Sequence, residues 1–427
     1  MTYRPEIDGL RTIAVLTVVL YHAGLGLISG GFVGVDMFFV ISGFLITGIL
    51  VRDLEKGEFS LARFYERRCR RILPPLLVMA MATSAWAWFI LLPYDFVNFG
   101  RSLAAAATFW SNIYFYKNTG YFDAAAETMP LLHTWSLAVE EQFYILYPLL
   151  LFFIYKRTRL KPMTVLMAVF LLSMAGAAWA LYWGAKDKAA FFLLHFRAWE
   201  LLLGGLVALL PACPKLNRLK LNFLALTGLA LAVAPALIYT DKTVFPGPAA
   251  MPPCLGIALL IYIHGAGVQG SLVGRLLSTA PFTGIGKISY ALYLWHWPLL
   301  VLGSLASYDG LSGPQASGLV LAAAALSALS YFFIEQPVRQ KRFLRTRRRV
   351  LAASLCALLL VAAGGRVIRY YGGFPSRLPD NILMYDAAIR DLDPDVFQYD
   401  FKVTDLNGPM PPYRMGPDSQ EPAFVIW

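Results

Sequence analysis

Residues 10–28 read LRTIAVLTVVLYHAGLGLI, an apolar run of membrane-spanning length with an arginine at its start and a histidine inside it. Helical periodicity returns Arg11 and His22 to nearly the same direction, about 16 Å apart along the axis. Ionisable groups inside a bilayer are costly and commonly line a cavity or a reaction path. The run alone leaves two interpretations: an interfacial arginine with a structurally satisfied histidine, or a functional pair.

The composition of the whole chain indicates a membrane protein. Of its 427 residues, 58% are hydrophobic and 15% are charged, against about a quarter charged in soluble domains. The net charge of +11 does not indicate a nucleic-acid partner, because the basic residues lie in short connections between apolar runs. The four cysteines have no metal-ligand spacing, so no metal site is predicted.

Eleven apolar runs are long enough to cross the hydrocarbon core of a bilayer. They are residues 12–28, 34–51, 74–92, 139–155, 162–183, 190–210, 221–239, 249–263, 285–303, 315–334 and 350–367. Residues 98–116 are apolar on one side only, and we predict an interfacial or re-entrant helix there that does not span.

The distribution of basic residues predicts the topology. With a cytoplasmic N-terminus, 24 of the 37 lysines and arginines lie on the inner side, and a crossing at 98–116 would destroy this bias. The sequence therefore predicts an all-α polytopic membrane protein. It has a ten-helix domain over residues 1–340, a basic loop and eleventh transmembrane helix over 341–367, and an extracytoplasmic tail over 368–427. The tail ends on a strand-like run at 423–427.

The second apolar run carries a carboxylate close in sequence to the histidine of the first. We predict that Asp36 meets His22 across the short loop and orients the imidazole as in a catalytic dyad. The alternative is a structural hydrogen bond between neighbouring helices. Ser42 and Gly43 form a small mid-span surface that a backbone or a ligand can approach closely.

Residues 64–75, FYERRCRRILPP, hold a dense cationic cluster. Arg68 and Arg71 are three residues apart, share a helical face and can together bind a phosphate. The alternative is an anchor that contacts anionic lipid headgroups.

Polar and aromatic residues inside or beside four later runs are further candidates. In LLHTWSLAVEEQFYILYP (131–148), Glu140 and Tyr144 share a face, and Glu141 is predicted to point elsewhere. Arg197 and Glu200 form an i,i+3 pair for which we predict a structural role. The candidates for an acceptor site or pocket are Ser42, His133, Trp135, Glu140, Tyr144, His296 within ISYALYLWHWPLL, and Glu335 within FFIEQPVR.

Six blocks of the chain resemble, in the same order, the acyltransferase-3 family of integral membrane acyltransferases. They cover about residues 3–340 and are YRPEIDGLRTIAV with the following YH, GGFVGVDMFFVISGFLIT, FYERRCRRILP, HTWSLAVEEQFYILYP, ISYALYLWHWPL and FFIEQPVR. The resemblance is greatest to bacterial O-acetyltransferases that modify lipopolysaccharide O-antigen or peptidoglycan and carry a fused extracytoplasmic SGNH domain.

The resemblance implies a ten-helix acyltransferase domain, with an eleventh helix leading to an SGNH domain that is expected in the full-length protein. It implies that Arg11 and His22 are the family's Arg-x10-His pair, with His22 catalytic, and that Arg68 and Arg71 bind the donor. It also implies a bacterial inner-membrane location with a cytoplasmic N-terminus and a periplasmic C-terminus.

The function expected from this resemblance is transfer of an acetyl or other acyl group from cytoplasmic acyl-CoA to a hydroxyl of an envelope glycan such as O-antigen. The predicted partners are acetyl-CoA as co-substrate, the glycan acceptor and the bilayer, with no tightly bound cofactor. His22 would take the hydroxyl proton or transiently accept the acyl group. Asp36 would orient His22, and Arg11 would place positive charge on the donor path. The alternative is a transporter or lipid-linked glycan carrier that transfers no acyl group.

Overall fold

The computed structural model describes residues 3–118, 128–184, 186–266, 271–307, 309–380 and 382–383, and within these it contains helices and no strand. The first eight helices are α1 (Pro5–His22), α2 (Gly34–Glu55), α3 (Leu61–Ile90), α4 (Pro93–Ala107), α5 (Ser111–Asn118), α6 (Thr134–Arg157), α7 (Pro162–Tyr182) and α8 (Asp187–Phe192). The remainder are α9 (Leu194–Leu209), α10 (Arg218–Ile238), α11 (Met251–Ile263), α12 (Leu272–Leu277), α13 (Ala280–Leu305), α14 (Gly313–Leu329), α15 (Gln336–Arg339) and α16 (Arg347–Tyr370).

Local sequence fixes where several of these helices begin. The side chains of Ser60, Asn217 and Thr346 each accept a hydrogen bond from the backbone N–H three residues later, at the starts of α3, α10 and α16. These contacts satisfy amide groups that the first helical turn leaves without a partner. Proline in the first turn of α1 and of α7 loses no hydrogen bond there.

Each predicted apolar run overlaps a helix, although the helix of the first run, predicted over 12–28, ends at His22. Nine segments of the described chain are long and apolar enough to cross a membrane. Two predicted runs are not among these nine. The first run corresponds to α1, which carries Glu6, Asp8 and Arg11. The eighth run corresponds to the shorter helical segment Gly247–Ile263. The sixth run is broken between α8 and α9 at Leu193, whose backbone is extended. The prediction of an all-α polytopic membrane protein is confirmed.

The segment predicted as one non-spanning helix over 98–116 folds as two helices instead. The chain between α4 and α5 turns at Phe109, whose φ of 54° interrupts the helix. The turn lets α4 pack against α16 while α5 packs against α6. The 15 residues of α4 extend about 22 Å, which is shorter than the hydrocarbon core.

Close packing of α2 on α9 holds the centre of the bundle together. A Cβ on Gly43 would lie 1.8 Å from the Leu201 carbonyl oxygen, and one on Gly204 would lie 1.9 Å from that of Val40. Only glycine allows two backbones to approach so closely. Helices α2 and α13 are mostly buried. In the apolar part of α16 only 6% of the residues are buried, so most of its apolar side chains face outward, as a bilayer requires.

The chain divides into two compact units, Met1–Pro375 and Ser376–Trp427. The first contains all sixteen helices named above. In the second, the structure describes only residues 376–380 and 382–383. The strand-like run predicted at 423–427 lies outside the described residues.

Candidate active site

A cavity of about 80 Å³ lies among α1, α2, α3, α6 and α13. We call it the central cavity. Its polar lining consists of Arg11, Ser42, Arg68, Arg71, Ser136, Glu140, Glu141, Tyr144, Ser289, Tyr290 and Tyr293. A second cavity of about 370 Å³, which we call the vestibule, shares Arg11, Leu45, Arg71 and Tyr290 with it. The two cavities therefore adjoin at the arginines.

Four of the five arginines near the start of α3 have different surroundings. Arg67 Nη2 lies 2.9 Å from Asp53 Oδ2, and Arg70 Nη2 lies 3.0 Å from Glu66 Oε1. Arg68 and Arg71 line the central cavity instead. Because both side chains line this one cavity, the predicted common face of Arg68 and Arg71 is confirmed.

The charges beside Arg68 largely balance it. Its guanidinium carbon lies 4.0 Å from the centre of the Tyr144 ring, and Nη2 lies 3.8 Å from Glu141 Oε1. The prediction that Glu141 points away from Glu140 and Tyr144 is therefore wrong. The cavity wall covers enough of the α6 circumference for all three side chains to reach it. Tyr144 also hydrogen-bonds to Ser42.

Three histidines meet at the opposite end of the site from the arginines: His22 in α1, His296 in α13, and His133, which directly precedes α6. His22 Nδ1 lies 3.0 Å from His296 Nε2, and His296 Nδ1 lies 3.1 Å from the Leu292 carbonyl oxygen. The ring of His133 is centred 6.0 Å from that of His296. His133 and His296 are buried, whereas His22 is partly exposed at the end of α1.

Tyr293 separates this histidine cluster from the central cavity. Its ring lines the cavity and is centred 5.5 Å from His296 and 5.7 Å from His133. Its hydroxyl donates to the His133 carbonyl oxygen at 3.0 Å and lies 2.7 Å from Ser136 Oγ. Sequence reasoning missed Tyr293. The signal was its spacing from Ser289 and His296, four and three residues, which places all three on one face of α13.

The predicted contact between Asp36 and His22 is wrong. Asp36 Oδ1 lies 3.1 Å from Arg197 Nη2, and Arg197 Nη1 lies 3.1 Å from Glu200 Oε1. The glycine contact between α2 and α9 brings the carboxylate to this arginine. The predicted pairing of Arg197 with Glu200 is confirmed.

Trp135 and Glu335 also lie outside the central cavity. Trp135 is buried against Arg197, with its ring centre 5.6 Å from the guanidinium carbon, and lines neither cavity. Arg197 and the aromatic rings around it cover the indole of Trp135, so this side chain does not offer a free face to an acceptor in this structure. Glu335 lines the vestibule and accepts from Arg339 at 2.8 Å.

Comparison of the sequence with known proteins assigns the chain to a family of enzymes. The sequence profile of the acyltransferase-3 family, described as an acyltransferase domain, matches residues 4–334. Within that range lie all the residues of the central cavity and the histidine cluster. No solved structure matches the chain significantly.

Curated relatives align over most of the chain. BcsY of Komagataeibacter xylinus, named as a membrane-bound transacylase, is 35% identical over 84% of this chain and 88% of its own length. The O-acetyltransferase OatA of Staphylococcus aureus is 33% identical over 80% of this chain. YrhL of Bacillus subtilis, named as a peptidoglycan O-acetyltransferase, is 33% identical over 82% of it. The alignments cover 58% of OatA and 57% of YrhL, less than two thirds of either protein.

Proposed function

Because this chain belongs to the acyltransferase-3 family of membrane acyltransferases, we propose that it transfers an acetyl group from acetyl-CoA to a hydroxyl of a cell-envelope glycan. The names of OatA and YrhL support acetyl as the group transferred, and the name of YrhL supports a glycan as the acceptor. Peptidoglycan and lipopolysaccharide O-antigen are the two acceptors to compare.

The observation that carries the proposal is an unbalanced pair of guanidinium groups where the two cavities meet. Arg11 and Arg71 both line the central cavity and the vestibule. Arg11 lies 3.6 Å from Asp8, but no carboxylate of the described residues pairs with Arg71. Two neighbouring cations that are only partly exposed to water repel each other until an anion enters. The phosphates of coenzyme A would supply that anion, with Lys287 and Arg339 adding positive charge in the vestibule.

The shape of the site supports delivery of the thioester towards His22. The narrow central cavity runs from Arg71 to Tyr293, and the histidine cluster lies directly behind that ring. A pantetheine arm that enters this cavity would reach the histidine cluster only past the Tyr293 ring, so delivery of the thioester requires that ring to move. His22, partly exposed at the far end, would meet a hydroxyl that arrives from the opposite side. The basic connections favour the cytoplasm for the arginine side and the periplasm for the acceptor side, in a bacterial inner membrane.

The transfer step requires a group that accepts a proton and returns it. His22 would take the hydroxyl proton while the hydroxyl oxygen bonds to the thioester carbonyl carbon and the carbon–sulfur bond breaks. The protonated imidazole then gives the proton to the departing thiolate. In the covalent variant the imidazole nitrogen first takes the acetyl group from sulfur and passes it to the hydroxyl. Label retained on His22 without acceptor would identify the second course.

The test uses the chain purified in detergent, radiolabelled acetyl-CoA, and peptidoglycan fragments or O-antigen as acceptors. His22→Ala should reduce labelling of glycan by at least about 100-fold, because general-base catalysis contributes at least that much. His195→Ala is the matched control, since His195 is exposed on α9. Full activity of His22→Ala would refute the catalytic assignment. No labelled glycan from the unaltered protein with either acceptor would refute the proposed acceptor class.

A further inference from the structure

The contacts of His296 restrict how protons are arranged in the histidine cluster. A carbonyl oxygen can only accept a hydrogen bond, so the 3.1 Å contact with the Leu292 oxygen requires a hydrogen on His296 Nδ1. In a neutral imidazole the other nitrogen is then an acceptor. His296 is fully buried, and its hydrogen-bond and ring partners among the described residues are His22, His133, Leu292 and Tyr293, none of which carries a carboxylate. The neutral form fits these surroundings.

The geometry of the two imidazoles supports a directed hydrogen bond between them. Their planes differ by 9° and their centres are 5.3 Å apart. With the two nitrogens 3.0 Å apart, this separation places both nitrogens close to the line joining the ring centres. The rings therefore lie edge to edge, and each nitrogen points its lone pair or hydrogen at the other.

We propose that His296 is a positioning residue that fixes the tautomer of His22, in the role that Asp36 was predicted to hold. His296 Nε2 accepts the hydrogen of His22 Nδ1, which places the lone pair of His22 on Nε2. Trp297, whose ring lies 4.5 Å from that of His22 and whose indole donates to the Met129 carbonyl oxygen, holds the imidazole from the side. This inference rests on the proposed function for its catalytic consequence, but the tautomer can be measured independently.

The proton balance of the transfer step is consistent with this arrangement. When His22 Nε2 takes the hydroxyl proton, Nδ1 keeps its hydrogen and the bond to His296 strengthens, because the donor is now charged. When the thiolate leaves, the proton departs from Nε2 to sulfur, and the pair returns to its starting state. His296 gains no proton in either step.

The first experiment measures rates for two substitutions of His296. His296→Leu removes the acceptor, and we expect kcat to fall by about 100-fold with the KM for acetyl-CoA unchanged. His296→Gln places an amide oxygen near the position of Nε2 and should keep kcat within about tenfold of the unaltered protein. His195→Leu, at an exposed histidine, controls for loss of an imidazole elsewhere. An unchanged kcat in His296→Leu would overturn the inference.

The second experiment reads the tautomer by ¹⁵N NMR of histidine-labelled protein, with His22 assigned from the signal lost in His22→Gln. We expect the hydrogen on Nδ1 in the unaltered protein and in His296→Gln, and a mixture of tautomers in His296→Leu. A hydrogen on Nε2 in the unaltered protein would overturn the inference even if acetyl transfer is confirmed. If His22→Ala keeps full activity while the unaltered protein shows the expected tautomer, the catalytic role of His22 is refuted and the hydrogen bond is established.

Discussion

The substitutions Asp36→Asn and Glu200→Gln, alone and together, test how the buried ion cluster joins α2 to α9. Arg197 lies 3.1 Å from a carboxylate oxygen of each residue, and all three side chains are at most 1% exposed. One guanidinium therefore faces two carboxylates. Either carboxylate alone balances its charge, so the consequences of the two substitutions should depend on each other.

The magnitudes follow from this geometry. Each single substitution replaces one charged partner of Arg197 by a neutral amide while the other carboxylate still pairs with it, which should lower the free energy of unfolding by about 1 kcal/mol. The double substitution leaves a buried guanidinium with no anion, and removing the partners of such a group costs about 3–5 kcal/mol. We expect the double variant to lose about 1–3 kcal/mol more than the two single losses combined.

The assay is reversible unfolding in dodecyl maltoside micelles titrated with SDS, followed by tryptophan fluorescence. Asp53→Asn is the control, because its partner Arg67 is 47% exposed and an exposed pair contributes at most about 1 kcal/mol. Additive losses would refute the idea that both carboxylates serve one arginine. A large loss of kcat in folded Asp36→Asn, with stability unchanged, would refute the reassignment of Asp36 from the catalytic site to this cluster.

Three further predictions concern the helix contact, the donor site and the inner loop. Gly43→Ala should lower the thermal unfolding temperature sharply, because its Cβ would meet backbone, whereas Gly318→Ala, facing open space, should raise it slightly. Arg71→Ala should raise the KM for acetyl-CoA at least about tenfold, and Arg67→Ala, outside the cavity, should leave it nearly unchanged. Arg70→Ala frees the carbonyl groups of Leu344 and Arg345 in the loop before α16, so trypsin should cut that loop faster.

The sequence predicted the helical class because each apolar run is a local signal. Length and composition are sufficient to indicate a helix, and all eleven runs overlap helical segments. The breaks at Leu193 and Phe109 were not predicted. They depend on which neighbour each half of the segment packs against, and no local pattern encodes that choice.

The site shows the same division between local and long-range information. Arg68 and Arg71 were placed together correctly, because a spacing of three residues within one helix fixes their relative direction. Asp36 was placed wrongly, because its partner depends on how α2 and α9 cross. That crossing is set by Gly43 and Gly204, which are 161 positions apart in the sequence. The short loop after α1 brings two helices together without determining which faces meet.

Buried charges in this protein can be sorted by whether the fold itself supplies their counterions. Arg197 has Asp36 and Glu200, so it gains nothing from a ligand and serves the contact between helices. Arg70 has Glu66 and backbone carbonyl groups. Arg71 lacks such a partner among the described residues and lies beside Arg11, so the arrival of an anion stabilises it most. A functional site in a membrane is therefore best sought where the protein leaves a charge unbalanced, and spacing in the sequence alone does not reveal that imbalance.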